Sequence, residues 1–117
     1  MLISALNSGA DCYMTDFEDS LTPTFDNLMQ GQLNIKDAIN KKIDFADQKS
    51  GREYKLNEKT SVLIIRPRGL HLDEKNATIN DKRISGTFFD LGLSLFHNAK
   101  KLIENGSGPY FLSLIHI

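Results

Sequence analysis

Apolar residues change their spacing several times along the 117-residue chain, and each change marks a predicted element. Cys12-Tyr13-Met14 lies in an apolar stretch, Asp11 to Phe17, that runs into Asp16-Phe17-Glu18-Asp19-Ser20 and the turn residues Thr22-Pro23-Thr24. That is the pattern of a buried strand meeting a polar loop. From Asp26 to Lys42, Leu28, Met29, Ile35, Ala38 and Ile39 recur at partly helical spacing. Gly31 interrupts them, so two short helical pieces are predicted. Residues 43 to 59 alternate apolar and polar positions around Ser50-Gly51, as an exposed β-hairpin does. Ser61-Val62-Leu63-Ile64-Ile65 is a continuous apolar run, predicted as a strand with both faces covered and stopped by Arg66-Pro67-Arg68-Gly69. A second hairpin is expected from Ala77 to Ser85. From Gly86 to Asn105 the apolar residues recur at three- and four-residue steps, the mark of an amphipathic helix, with Gly106 as its C-terminal stop. Pro109-Tyr110-Phe111 then opens another strand. Strands separated by helix-bearing crossovers predict a parallel α/β sheet carrying inserted hairpins.

Composition narrows the class without naming a partner. The chain is 40% hydrophobic, 25% charged and 9% aromatic, which disfavours disorder and collagen. Fourteen basic and 15 acidic residues give a net charge of −1. Neither sign forms a block suited to nucleic acid or an anionic membrane, and no apolar run is long enough to span a bilayer. The start Met1-Leu2-Ile3-Ser4-Ala5 lacks the basic region of a secretory signal, so a folded, cytosolic chain is expected. The single Cys12 is expected in a buried strand position, as an unreactive thiol.

Ligand sites in parallel α/β folds lie beyond the carboxyl ends of the strands. Two clusters fall there: Asp16, Glu18, Asp19 and Ser20 after the first strand, and Arg66, Arg68 and His71 after the next long one. Carboxylates and guanidiniums together could build a pocket for an anionic, metal-assisted substrate. They could equally cap a helix, or form structural ion pairs between Arg66 or Arg68 and Asp16 or Glu18. Spacing leaves both readings open, as it does the role of His71. His97 falls inside the amphipathic helix and reads as structural. Gly106-Ser107-Gly108 has no dinucleotide pattern and reads as a plain loop.

Asn7-Ser8-Gly9-Ala10, Asp16-Phe17-Glu18-Asp19-Ser20, Gly31-Gln32, Arg66-Pro67-Arg68-Gly69-Leu70-His71-Leu72, Phe96-His97-Asn98 and Gly106-Ser107-Gly108-Pro109-Tyr110-Phe111 resemble, in order and spacing, successive blocks of the A-type malate synthases. The resemblance implies a (β/α)8 TIM barrel, of which residues 1–111 would hold an early part, incomplete at both ends. Residues 112–117, Leu-Ser-Leu-Ile-His-Ile, depart from the family's continuation and read as a translated sequencing adapter, CTGTCTCTTATACACATC, so they are expected to be a foreign tail. The family's reaction condenses acetyl-CoA with glyoxylate and hydrolyses the malyl-CoA formed, with Mg2+ holding glyoxylate. By position Arg66 matches the family's active-site arginine; being permanently protonated, it is expected to stabilise oxyanions rather than to accept a proton. Asp16, Glu18, Asp19, Ser20, Arg68 and His71 are carried as substrate-binding candidates at the same barrel mouth. The catalytic aspartate and the metal ligands are expected outside this stretch, so the chain alone is expected to be inactive. The family often has Trp where Leu70 stands, which bears on the packing of that loop. The implied compartment is bacterial cytoplasm, or a glyoxysome or peroxisome in a eukaryote. Alternatives are a citrate-lyase-like or malyl-CoA lyase barrel, against which the long Arg-Pro-Arg-Gly-Leu-His-Leu block weighs, and a non-enzymatic binding fragment.

Overall fold

The structure, a computed structural model, describes residues 2–46, 48 and 51–113. In chain order the elements are α1 (Leu2–Leu6), β1 (Cys12–Asp16), α2 (Phe25–Ile39), β2 (Asp44–Ala46), β3 (Glu53–Lys55), β4 (Val62–Arg66), β5 (Asp73–Ile79), β6 (Lys82–Ser85), α3 (Gly86–Glu104) and β7 (Tyr110–Phe111). Among the described residues, β1, β4 and β7 form a parallel sheet with β4 in the middle. The registers Cys12 with Val62 and Ile64 with Tyr110 place the carboxyl ends of β1 and β4 side by side, with Asp16 opposite Arg66. The fold is mixed α/β, and these three strands do not close into a barrel.

Two hairpins interrupt the crossovers. β2 pairs antiparallel with β3, although the turn expected at Ser50 lies outside the described residues. β5 and β6 are closed by Asn80 and Asp81, both at positive φ (51° and 62°), residue types that tolerate the left-handed region. This hairpin starts at Asp73 instead of Ala77, and a register shift between Glu74 and Thr78 lets the longer strand bend.

Three expectations are corrected. α2 is one helix, not two pieces: a Cβ on Gly31 would lie 2.6 Å from Phe17 Cε1, so the glycine marks a close approach rather than a break. Thr24 caps this helix, its hydroxyl accepting the Asn27 N–H at 3.2 Å. β4 is covered on one face only; Leu63 and Ile65 are buried beneath the helices, whereas Val62 is exposed and Ile64 half-buried. Cys12 is exposed, not buried, because it shares that open face across the β1–β4 register.

The core gathers Phe17, Leu63 and Ile65 from the sheet side, Leu28, Ile35 and Ile39 from α2, and Leu102 from α3. α3 ends as expected: Gly106 takes φ +79°, and the Ser107 N–H donates to Leu102 O at 2.9 Å. Its buried face, however, is polar. Asp90, Ser94, Asn98 and Leu102, four residues apart, face inward, while Phe88 and Phe96 are 65% and 86% exposed. Gln32 of α2 bridges the seam, donating to Asp90 O at 3.1 Å and accepting from the Ser94 hydroxyl at 3.0 Å. The small side chain of Ser94 is what permits the two helices this contact.

Candidate functional site

Asp16, the last residue of β1, organises the loop that follows it. Its Oδ1 accepts the N–H of Glu18 at 2.8 Å and of Asp19 at 3.3 Å, and its Oδ2 accepts the Ser20 hydroxyl at 3.1 Å. An aspartate that bonds the chain two residues on is the ordinary cause of such a turn. The turn aims Glu18 and Asp19 at Arg66, the last residue of β4. Arg66 Nε donates to Glu18 Oε2 at 2.9 Å and lies 3.5 Å from Asp16 Oδ1, and Nη2 pairs with Asp19 Oδ2. The side chains of Arg66, Asp16 and Glu18 are almost wholly buried, but that of Asp19 is 72% exposed. Among the described residues, no acceptor lies within hydrogen-bond reach of Arg66 Nη1. One guanidinium therefore sits among three carboxylates with donor capacity left at its outer edge.

The charges respond to this geometry. Burial raises the Asp16 carboxyl pKa, but the Glu18 and Asp19 N–H groups, the Ser20 hydroxyl and the Arg66 charge outweigh it and hold Asp16 below its ordinary value. Hydrogen bonds to Glu18 and Asp19 raise Arg66 further above its already high value, so it stays a cation.

Arg68, two residues on, is placed elsewhere. It is 4% exposed and enclosed by α3 and β5: Nε and Nη2 donate to Asp90 Oδ2 and Oδ1, each at 2.9 Å, and Nη1 donates to Glu74 Oε2 at 2.8 Å. Its guanidinium also stands 5.8 Å from the centre of the Phe89 ring. Burial lowers the Arg68 pKa, and the bonds to Asp90 and Glu74 more than restore it; burial raises Glu74, which the Asn76 N–H and Arg68 pull below its ordinary value. Of the two arginines expected to pair with Asp16 or Glu18, Arg66 pairs with both, whereas Arg68 pairs with neither.

His71 is exposed at the site's edge. A Cβ on Gly69 would lie 2.6 Å from both His71 Cε1 and Glu18 Oε1, so the bare glycine lets the arginine turn pass under both side chains. The structure thus brings Asp16, Glu18, Asp19, Ser20 and Arg66 together with His71 beside them, and separates Arg68. His97 is exposed on α3, edge-on to Phe96, away from this cluster. Sequence reasoning missed Asp90, Glu74 and Thr87, although a lone carboxylate within Phe88-Phe89-Asp90-Leu91 was an available signal. Among the described residues no group of three or more His, Cys, Asp or Glu side chains is arranged to hold a metal ion, and no helix is long and apolar enough to cross a membrane.

Residues 62–113 match the family description "Malate synthase, TIM barrel domain". Over 111 residues, 95% of its length, the chain is 52% identical to the bifunctional glyoxylate cycle protein of Caenorhabditis elegans and 50% identical to the malate synthase of Myxococcus xanthus. Over 114 residues it is 46% identical to a protein of Brassica napus named glyoxysomal malate synthase. It spans 12% of the length of the first relative and 20% of each of the other two.

Proposed function

We propose that this chain, a relative of the malate synthases along nearly its whole length, forms one wall of a site in which acetyl-CoA and glyoxylate condense. The observation that carries the proposal is the pairing of Asp16 with Arg66 at the carboxyl ends of adjacent parallel strands, where Arg66 keeps unused donors at the site's edge.

In the condensation a base removes a methyl proton from acetyl-CoA, the resulting carbanion attacks the aldehyde carbon of glyoxylate, and negative charge moves from the enolate oxygen to the new alkoxide. Hydrolysis of the thioester then releases malate and CoA. Arg66 supplies a fixed positive charge and a planar fork of N–H donors to those oxygens, an arrangement that acts where charge develops. Glu18 fixes the orientation of the fork. Asp19, exposed and paired with Nη2, is the carboxylate that an incoming anion would displace. Asp16 is no general base: a carboxyl held below its ordinary value and saturated with donors attracts a proton too weakly at neutral pH. Ser20 and His71 stand at the rim as contacts for the larger substrate. The proposal places the base in the longer protein, outside this stretch.

Magnesium is the metal the resemblance implies. The acidic residues present do not fit its coordination shell, because Asp16 and Glu18 already face loop N–H groups and Arg66. No step above passes through the metal, whose ligands the proposal likewise places outside this stretch. The proposed compartment is the bacterial cytoplasm, or a glyoxysome in a plant-like host.

The test exchanges residues 1–111 for the matching stretch of the M. xanthus malate synthase and follows CoA release from acetyl-CoA and glyoxylate. The exchanged enzyme is expected to turn over, and Arg66→Lys within it to lose on the order of 100- to 1,000-fold in kcat. An inactive exchange, or an Arg66→Lys variant within a few-fold of its parent, would overturn the reading. The isolated 117-residue chain is expected to release no CoA.

A further inference from the structure

Arg66 is only as well placed as the turn that carries it. Arg66 itself is held by the sheet, its carbonyl accepting the Phe17 N–H at 2.9 Å. Pro67 has no N–H, so the first backbone donor beyond Arg66 is that of Arg68. There both backbone groups are held by side chains of α3: the Arg68 N–H donates to Asp90 Oδ2 at 3.0 Å, and the Arg68 carbonyl accepts the Thr87 hydroxyl at 2.6 Å. The guanidinium of Arg68 returns to the same carboxylate, so Asp90, 1% exposed, accepts three bonds from one residue. A Cβ on Gly86, at the start of α3, would lie 3.1 Å from Arg68 Nε, so the helix and the arginine meet without slack. One residue further, Gly69 runs directly beneath the Glu18 carboxylate that orients Arg66. The turn that follows Arg66 therefore packs against both α3 and the carboxylate that orients the Arg66 fork.

We infer that Asp90, assisted by Thr87, is a positioning residue for Arg66: α3 sets the height and direction of the Arg66 fork through the backbone and guanidinium of Arg68. The inference rests on the reading of Arg66 given above. A misplacement of about 1 Å at a reacting centre can cost on the order of 100-fold in rate, so a brace that touches no substrate can still govern turnover.

The experiment is a double-mutant cycle in the exchanged M. xanthus enzyme, scored by kcat and by KM for glyoxylate. Asp90→Asn keeps the side chain's shape and removes its charge; it is expected to lower kcat by roughly 10- to 100-fold with KM changed by less than about threefold. Combined with Arg66→Lys, it is expected to add no more than about threefold to the loss from Arg66→Lys alone, because a brace has nothing left to position once the fork is gone. A purely structural role predicts instead the same factor in both backgrounds. Thr87→Val, which removes only the bond to the Arg68 carbonyl, follows the same cycle with an expected loss of about 3- to 10-fold, and it carries the test if Asp90→Asn does not fold. Equal factors in both backgrounds, or kcat within about twofold of the parent for every folded variant, would overturn the positioning role while leaving Arg66 as assigned. If Arg66→Lys alone is near its parent, the site reading falls and this inference with it, a result visible in that single variant.

Discussion

Asp16 binds its own loop and faces Arg66 with one carboxylate, and Glu74 binds Asn76 and Arg68 in the same manner. Both are held below their ordinary values, 3.8 and 4.5. A carboxyl whose folded pKa is depressed contributes stability above its unfolded pKa and loses that contribution as pH falls through the folded one. The melting temperature of the exchanged enzyme should therefore hold from neutral pH to about 5 and fall below that, and Glu74→Gln should make the fall shallower. Identical acid profiles for Glu74→Gln and its parent would show that this carboxyl is not one of the groups responsible. Asp16 and Arg66 could be found from sequence because each ends an apolar run, where the chain itself marks the strand terminus. The fate of Arg68 could not, because its main partner lies 22 residues downstream, on a helix whose apolar residues suggested the opposite facing.

At the scale of elements, sequence periodicity located α3 correctly but did not show that its buried side is the polar one. Apolar spacing reports that a stripe exists; it does not say whether a neighbour in this chain covers it. Phe96→Lys should accordingly change stability by less than about 0.5 kcal/mol, as an ordinary surface substitution does. Ser94→Leu, at a position 1% exposed against Gln32, should cost about 1 to 3 kcal/mol by overpacking. A chemical denaturation series on the two variants, made in the exchanged enzyme, decides between this facing and its reverse. Gly31 teaches the same lesson for α2. Alanine there gains about 1 kcal/mol of helix propensity but drives a methyl into Phe17, a clash worth about 1 to 3 kcal/mol. Gly31→Ala should thus be neutral to destabilising, and a clear rise in melting temperature would show that Phe17 gives way freely.

At the scale of the molecule, the parallel sheet was legible because βαβ spacing allows few alternatives. The bare sheet face was not, since a run such as Val62 to Ile65 reads alike whether one side is covered or two. That face carries Cys12, Met14, Val62 and Ile64, and the outer stripe of α3 adds Phe88 and Phe96. Exposed apolar surface of this kind favours self-association, so the isolated chain should sediment as mixed oligomers and melt without a sharp transition. A monodisperse monomer with a cooperative melt would refute that expectation. The placement of Cys12 also supplies a clock. A thiol on the bare face of the isolated chain should be alkylated by a maleimide at close to the rate of a free cysteine. In the exchanged enzyme the same thiol should be slowed many-fold if further strands complete the sheet around it, so the ratio of the two rates measures directly whether this face becomes an interior.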